Sequence, residues 1–333
     1  MDVDLRPATA AVPAVADGTF RIALINWCYG GVDGGADRRW QQTVDVLRAT
    51  GPHVVLCQEF GVPQPALRQS RYVQRTSNAL GMQAVLGPVP PGARSALHTA
   101  ILVDTRTTGW RVTDTGPYTH TRFGGTQAAS WCVVELDIPG LPLPLHCVSV
   151  HLPARSAVDQ LSQAQMLAAL IAAMEGLVLV GGDINTYPRG GPPVTTDELE
   201  CLPPHLRVTR CWTGADGRLQ ANHDVDDVFV RAGLLDIAAH LPADRRTPPK
   251  LRATGKGGAR VDRAYGSPEL LTAATGYWQV GIGSDHDGVI YDISSTTLRR
   301  ALAGDELSDH RDHRRPMTPL PVRDHQPDTR SPL

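Results

Sequence analysis

No apolar run in this 333-residue chain approaches the roughly 20 residues that a helix needs to cross a bilayer. The segment Met1–Gly18 also lacks a basic stretch followed by a continuous apolar one, which is the pattern of a secretory signal. These absences predict a protein without a membrane span that is located in the cytoplasm.

No C-x-x-C pair occurs among the six cysteines, so the ligand spacing of a structural zinc site is missing. Three cysteines lie within apolar runs, which favours buried free thiols in a reducing compartment over disulfides. An excess of charge of one sign is also missing, since the formal net charge is −2. Bulk attraction to nucleic acid is thereby excluded, whereas a local basic groove is not.

Hydrophobic residues make up 41% of the chain and charged residues 20%, which is the balance of an ordinary globular protein. Apolar segments of strand length recur, and they often follow one another without a helix between them. We predict strands at 20–26, 53–57, 97–104, 130–137, 143–151, 177–181, 261–265 and 289–293, and helices at 36–50, 156–174 and 225–233. This order predicts an α+β domain with mixed sheets rather than regular alternation of strands and helices.

The composition changes at both ends of the chain. Residues 1–19 are rich in Ala, Pro and Val without periodicity, which predicts a flexible leader. Residues 297–333 are polar and predict a disordered tail. We therefore place one folded domain at 20–296, with a loop-rich stretch at 186–222 and a mobile basic loop at 242–260.

The segment Leu177–Asn185 places polar residues directly behind an apolar strand. Asp183 and Asn185 occupy alternate positions, so they point to the same face of an extended chain. The carboxylate can accept a proton or bind a metal, and the carboxamide can donate a hydrogen bond to an oxyanion. Ordinary turn chemistry is the alternative for this pair taken alone.

Polar or ionisable residues lie beside predicted strands at several more places. These residues are Asn26, Glu59, His151, Asp285 and His286, with Asp262 inside the strand at 261–265. Strand ends that meet at one rim form a rigid platform for a site. Oxygen ligands without thiolates favour Mg²⁺ over zinc, with Mn²⁺ or Ca²⁺ as alternatives. The chemistry that suits such a set is attack of water on a phosphate ester.

Six short motifs occur in one order between residues 20 and 294. They are Asn26-Trp27, Gln58-Glu59, Ser149-Val150-His151-Leu152, Gly182-Asp183-Ile184-Asn185, Val261-Asp262-Arg263 and Ser284-Asp285-His286. With these motifs the sequence resembles the endonuclease/exonuclease/phosphatase superfamily, which includes DNase I-like nucleases, abasic-site endonucleases, inositol polyphosphate phosphatases and neutral sphingomyelinases. The resemblance implies a four-layered α/β/β/α sandwich with two central mixed β-sheets, and it implies a site at their common rim.

The resemblance further implies a metal site at this rim. Glu59 would be the principal ligand, helped by Asn26 and Asp285, and Mg²⁺ would be the ion. Some members of the superfamily carry an acid two positions after the first Asn, where this chain has Cys28. This departure leaves open whether one or two metal ions bind.

The resemblance also implies how the remaining motif residues act on a phosphate ester. Asp183 would orient and deprotonate the attacking water, and Asn185 would donate to a phosphate oxygen. His286, held in one tautomer by Asp262, would contact the scissile phosphate or transfer the proton. His151 would stabilise the phosphate from the other side. A buried carboxylate that pairs with an imidazole raises the basicity of the imidazole and fixes the orientation of its ring. This effect agrees with the roles given to Asp262 and His286.

Two further residues are candidates for contact with the substrate phosphate. His98 lies near the matching strand, and a histidine at the edge of the core is the alternative. Arg122 lies in a segment rich in Thr and Gly, where a surface loop is the alternative.

Three functions remain open. We prefer a nuclease that cleaves DNA or RNA by in-line attack of an activated water. The alternative is a phosphatase or phosphodiesterase of a small phosphorylated metabolite, an inositol phosphate or a phospholipid headgroup. An inactive binding module comes third, because an inactive copy usually loses one of the site residues and this chain has the complete set. The candidate residues for a nucleic-acid surface are Arg122, Arg189, Arg245, Arg246, Lys250, Arg252, Lys256, Arg260, Tyr187, Trp212 and Trp278. No obligate protein partner is evident from the sequence.

Overall fold

The computed structural model describes residues 11–33, 36–62, 66–87, 97–115, 131–191 and 193–304. The strands within these ranges are β1 (Thr19–Asn26), β2 (Val54–Phe60), β3 (Gln83–Leu86), β4 (His98–Val103), β5 (Arg111–Asp114), β6 (Cys132–Asp137), β7 (Leu145–His151), β8 (Leu177–Asp183), β9 (Cys211–Thr213), β10 (Leu219–Ala221), β11 (Leu235–Asp236), β12 (Arg246–Thr247), β13 (Asp262–Gly266), β14 (Ala274–Gly281) and β15 (Asp287–Ser294). The helices are α1 (Arg38–Thr50), α2 (Ala66–Leu80), α3 (Ala157–Ile171), α4 (Thr196–Glu200), α5 (Pro204–Arg210), α6 (Asp224–Arg231), α7 (Ile237–His240), α8 (Pro268–Ala273) and α9 (Ser295–Ala303).

Two large sheets form the centre of the fold. The first has the strand order β12-β14-β15-β1-β2-β4-β3, and the second has the order β11-β13-β8-β7-β6-β5. Both are mixed, because β1 and β2 are parallel in the first, β7 and β8 are parallel in the second, and both sheets also contain antiparallel pairs. The predicted α+β class with two central mixed sheets is confirmed.

The strands are apolar on both faces because each sheet is covered on both sides. In β1, Ile22 and Leu24 belong to the core between the sheets, whereas Ala23 and Ile25 pack with α1 on the outside. This division follows from the alternation of side chains along a strand. In the second sheet the outward side chains of β7 and β8 pack with α3 and α6. The layers therefore run helix, sheet, sheet, helix.

The strand patterns locate β1, β2, β4, β6, β7, β8, β13 and β15 to within a few residues, but they do not indicate α2 or β14. Helix α2 carries polar residues at most positions, and β14 contains Gly276 and Gly281, which resemble turn signals. The stretch 186–222 holds α4, α5 and the hairpin β9–β10 as well as loops. Its prolines and polar residues mark helix starts, since α5 begins at Pro204 and a capping box starts α4.

The prediction of a disordered tail from residue 297 is wrong for its first residues. Helix α9 continues to Ala303 and buries Leu298 against the core, so apolar packing holds this segment in place. Residues 305–333 lie outside the described part of the chain. At the other end, the predicted leader contacts the domain, because Arg21 Nη1 donates to the Pro13 carbonyl at 3.0 Å.

None of the helices in the described part of the chain combines the length and apolar character needed to span a membrane.

A buried ion-pair network ties β13 to α6 and to the segment after β8. Arg263 is fully buried, and its guanidinium donates to Asp226 Oδ1 at 2.6 Å and to the Thr186 carbonyl at 2.8 Å. The Tyr265 hydroxyl donates to the same Asp226 oxygen at 2.5 Å. Burial alone would raise the pKa of Asp226, but Arg263 and Tyr265 outweigh this effect and hold the pKa below its ordinary value.

We expect Asp226→Ala to lower the free energy of unfolding by about 3–5 kcal/mol, because it leaves the Arg263 charge buried without a counter-ion. The matched control is Asp227→Ala on the same helix, where a partly exposed ion pair with Arg189 is lost. That change should cost less than about 1 kcal/mol. Urea unfolding followed by circular dichroism measures both values, and equal losses would contradict the role of the network.

Candidate active site

The candidate site lies at one edge of the sandwich, where strand ends of both sheets meet. In the first sheet β1 and β2 are parallel with Asn26 opposite Gln58, so Asn26 and Glu59 emerge at the same edge. Strand β15 is antiparallel to β1, which brings the preceding Asp285 and His286 to this edge as well. In the second sheet, three predicted site residues form one row across neighbouring strands. This row is His151, Asp183 and Asp262.

Asp183 lies at the centre of the site and is 2% exposed. Its Oδ2 atom accepts a hydrogen bond from Asn26 Nδ2 at 3.2 Å. The Nε2 atoms of His151 and His286 lie 3.5 and 3.8 Å from the same oxygen. The other oxygen, Oδ1, accepts the backbone N–H of Asn185 at 3.1 Å. Side chains from both sheets thus converge on one carboxylate.

The other ring nitrogen of His286, Nδ1, lies 2.7 Å from Asp262 Oδ2. Because an ionised carboxylate only accepts hydrogen bonds, Nδ1 carries the proton and Nε2 faces Asp183. Burial alone would lower the pKa of His286, but the charges of Asp262 and Asp183 outweigh it and raise the pKa to about 10. The two carboxylates therefore favour the cationic imidazole, which lies between them with Nδ1 toward Asp262 and Nε2 toward Asp183.

Backbone strain is concentrated at this edge. In the described part of the chain, the non-glycine residues with positive φ are Cys28, Tyr29, Glu59 and Asn185. Such conformations are costly and persist only where the surrounding structure enforces them. At Glu59 the pairing of β2 with β4 also shifts register, and irregularities of this kind redirect side chains. The Glu59 carboxylate is fixed by the Tyr29 N–H, which donates to Oε2 at 3.0 Å.

The predicted metal ligands supply oxygen donors for a hard cation. Burial and then the charges of Asp285 and Glu59 raise the pKa of the Cys28 thiol to about 11, so both carboxylates lie near a thiol that stays protonated. Asn26 adds a side-chain oxygen, which accepts the Cys28 N–H at 3.1 Å and keeps one lone pair. This donor set fits Mg²⁺ or a similar hard ion and does not fit a thiolate-bound metal.

A second group of possible ligand atoms lies within 4.8 Å of one another and comprises Asp183, Asp262 and His286. This group consists of the Asp183 carboxylate and the Asp262–His286 pair, so a metal ion and a protonated imidazole would compete for it.

Lys256 contacts the site although no motif singles it out from the basic loop. Its Nζ atom lies 2.8 Å from Asp285 Oδ2. Burial would raise the pKa of Asp285, but Lys256 and His286 lower it below its ordinary value. Asp285 is therefore held in its ionised form, and a metal ion bound there would share this carboxylate with the ammonium group or displace that group.

The two predicted phosphate contacts differ in outcome. His98 begins β4 opposite Phe60 and thus lies beside the Glu59 edge, with its Nδ1 2.7 Å from the Gly87 carbonyl. Its contact with substrate stays a prediction. Arg122 lies outside the described residues.

Three residues of the predicted nucleic-acid surface contact other residues of the protein itself. Arg260 is buried in an ion pair with Asp236, and Arg189 pairs with Asp227. Tyr187 is buried and donates its hydroxyl to the Gly257 carbonyl at 3.0 Å. Trp212 is partly exposed, and Lys256 extends into solvent.

Gly182 allows the end of β8 to lie close to β7, directly before Asp183. Its φ is +148°, and an added Cβ would lie 2.0 Å from the Val150 carbonyl oxygen and 2.8 Å from Gln58 Nε2. A side chain at this position would therefore displace the strand end that carries Asp183.

We expect Gly182→Ala to lower the free energy of unfolding by more than about 2 kcal/mol, because backbone strain and a steric clash act together. Gly51→Ala is the matched control, since φ there is +60° and nothing lies within 4 Å of the new Cβ. Its cost should be the strain alone, about 1–2 kcal/mol. Both variants are measured by denaturant unfolding, and a loss at Gly182 no larger than that at Gly51 would show that close packing is unimportant.

The model of the Endonuclease/Exonuclease/phosphatase family matches residues 29–286. No curated protein matches the sequence. Similar solved structures include a humanized D. rerio TDP2, with 16% identity, coverage of 83% of this chain and 99% of that chain, and a TM-score of 0.52. An AP endonuclease from Archaeoglobus fulgidus has 14% identity, coverage of 82% and 98%, and a TM-score of 0.54. A mannosyl-6-phosphatase from Bacteroides thetaiotaomicron has 14% identity, coverage of 82% and 98%, and a TM-score of 0.52. At these identities the structural likeness shows the fold alone.

Proposed function

Because the chain belongs to the Endonuclease/Exonuclease/phosphatase family, whose members hydrolyse phosphate ester bonds, we propose that it is a metal-dependent phosphodiesterase that cleaves nucleic acid. The observation that carries this proposal is the convergence of Asn26, His151 and His286 on the buried Asp183 carboxylate. Such a carboxylate is oriented from three sides and is suited to accept a proton from water.

Asp183 acts in this proposal as the base for the attacking water. Its Oδ1 is engaged by the Asn185 backbone, and its Oδ2 faces two imidazoles and the Asn26 amide. These contacts fix the orientation of the carboxylate at the rim. Positioning of this kind accounts for much of the rate enhancement in phosphate transfer.

The histidines and Asn185 stabilise the negative charge that develops on the phosphoryl oxygens. His286 is kept cationic by Asp262 and directs Nε2 into the site, from which it donates to a phosphate oxygen or to the leaving group. His151 comes from β7, on the side of β8 away from Asp262, and its Nε2 lies 3.5 Å from Asp183 Oδ2. Asn185 donates one amide hydrogen to the Leu152 carbonyl and has a second hydrogen for the phosphate.

Glu59, Asn26 and Asp285 would hold the divalent cation, which when bound supplies Lewis-acid polarisation of the phosphate. We propose Mg²⁺ as the physiological ion, with Mn²⁺ and Ca²⁺ as alternatives, because the donors are oxygens of carboxylates and an amide.

Nucleic acid is the proposed substrate because two groups suited to it lie exposed in the described surface. Lys256 reaches into solvent beside Asp285, where it can contact a second phosphate, and Trp212 is 38% exposed and can stack on a base. One observation favours the alternative, a small phosphate ester. Arg189 and Arg260, two of the basic residues expected to bind nucleic acid, form ion pairs with carboxylates of the protein itself.

With Mg²⁺, the protein should hydrolyse bis(p-nitrophenyl) phosphate, and Asp183→Ala or His286→Ala should each reduce kcat at least about 10²-fold. Each change removes a group that accepts or donates a proton in the proposed mechanism. Initial rates at saturating metal measure the effect. Asp216→Ala and His205→Ala, which alter exposed residues of the same types, are the controls and should retain the wild-type rate. Undiminished turnover in the Asp183 or His286 variant would overturn the proposed mechanism.

Glu59→Gln should weaken binding of Mn²⁺ at least about 10-fold, because it removes the charged ligand while keeping the shape of the side chain. Isothermal titration calorimetry of the protein with the metal alone measures the affinity without any assay of turnover. Glu198→Gln, at an exposed helix start, is the matched control and should bind the metal like the wild type. If the Glu59 variant and the control bind Mn²⁺ with equal affinity, Glu59 is not a metal ligand.

A screen of single- and double-stranded DNA, RNA, inositol phosphates and sugar phosphates separates the two substrate classes. The proposal expects the highest kcat/KM on a polynucleotide. Activity confined to the small esters would establish the alternative.

A further inference from the structure

Five arginines of the described residues are buried, and four of them have a carboxylate partner. The pairs are Arg21 with Asp292, Arg39 with Asp33, Arg260 with Asp236 and Arg263 with Asp226. The fifth is Arg210, the last residue of α5, which is 4% exposed. No carboxylate oxygen in the described part of the structure lies within ion-pair distance of its guanidinium. The charges of Asp183 and Asp262 favour the Arg210 cation without a direct ion pair, but burial outweighs them and lowers the pKa of Arg210, so its buried position is costly.

The contacts of Arg210 lead directly to the candidate active site. Nη2 donates to Asn185 Oδ1 at 3.5 Å, and Nη1 donates to the Lys256 carbonyl at 2.5 Å. The third nitrogen, Nε, is buried and has no hydrogen-bond partner among the described residues. The backbone of Arg210 is fixed by the N–H of Asn222, which donates to its carbonyl at 2.8 Å. One buried cation therefore joins α5 to two residues of the site.

The hydrogen bonds at Asn185 permit only one orientation of its amide. Nδ2 donates to the Leu152 carbonyl at 3.0 Å, and Oδ1 accepts from Arg210. A guanidinium can only donate and a carbonyl can only accept, so a flipped amide would lose both bonds. In the observed orientation, the second Nδ2 hydrogen has no acceptor among the described residues.

We propose that Arg210 is a positioning residue that fixes which end of the Asn185 amide faces the substrate phosphate. This inference rests on the proposed function, in which Asn185 donates to a phosphate oxygen. Without Arg210, no other described residue donates to the amide oxygen and only the Leu152 carbonyl still holds the amide, so a population with the oxygen toward the phosphate becomes accessible. The oxygen would repel the phosphate, so the donor is lost in that population.

The same guanidinium holds the short turn that carries Lys256. Gly257 in this turn packs so closely that an added Cβ would lie 2.9 Å from Arg210 Nη1, and its own φ is +76°. Arg210 thus fixes the amide on one side and the backbone of the lysine turn on the other. Because α5 lies in the stretch between the fourth and fifth motifs, only the fold brings this arginine to the site.

The first test compares kinetics of variants on bis(p-nitrophenyl) phosphate with Mg²⁺. Arg210→Met should reduce kcat about 10- to 100-fold, with KM changed less than about threefold, because loss of one phosphate donor acts on the transition state. Arg210→Lys should recover part of this loss. Arg207→Met, one turn earlier on the same helix, is the matched control and should behave like the wild type.

A double-mutant cycle distinguishes action through Asn185 from an independent effect. In the Asn185→Ala background, adding Arg210→Met should change kcat less than about twofold, since the amide that Arg210 orients is already absent. If the loss of kcat in the double variant equals the product of the two single losses, the inference is overturned, because Arg210 would then act on the substrate or the fold by itself. A wild-type kcat in the Arg210→Met protein would overturn it as well.

A second measurement does not depend on activity. In a ¹H–¹⁵N correlation spectrum, the side-chain amide pair of Asn185 is identified by its disappearance in Asn185→Ala. Arg210→Met should shift or broaden this pair, and Arg207→Met should leave it in place. If the wild type hydrolyses no phosphate ester but the amide responds to Arg210→Met, the proposed function fails and the contact stands. An amide pair that does not respond overturns the inference itself.

Discussion

The fold places the Asp183 carboxylate at the junction of its two sheets, and the arrangement of the site depends on this one position. Asp183 ends β8, where it lies opposite His151 of β7 on one side and opposite Asp262 of β13 on the other. Across the gap between the sheets, Asn26 donates to it at 3.2 Å. A shift of one residue in the register of β8 would turn this carboxylate to the opposite face. The close approach of the chain at Gly182 and the tight packing of both sheet faces oppose such a shift.

A site built this way must compensate several acids in little space. His286 lies between Asp183 and Asp262, whereas Lys256 neutralises Asp285 from the solvent side. Asp183, Asp262 and Asp285 therefore each have a cationic neighbour, and in the proposed mechanism these charges serve proton transfer at one end and metal binding at the other. This separation explains how closely spaced acids can have different roles at one pH.

Much of the fold and of this site could be predicted because short-range patterns encode them. Apolar strands specify both the sheets and the edge at which polar residues meet, because Asn26, Glu59, His151 and Asp183 lie at or next to the last residue of their strands. Lys256 and Arg210 could not be assigned in this way, since their positions depend on how an irregular stretch folds over the rim. Helix α9 was hidden by its polar surface, because only Leu298 and Ala301 are buried.

In the proposed mechanism, a water molecule deprotonated by Asp183 attacks phosphorus in line without a covalent enzyme intermediate. The stereochemical course at phosphorus tests this claim most directly. Hydrolysis of a dinucleotide with a single phosphorothioate diastereomer in ¹⁸O-labelled water should invert the configuration, as one in-line displacement requires. Retention of configuration would reveal two successive displacements and would contradict the role given to Asp183.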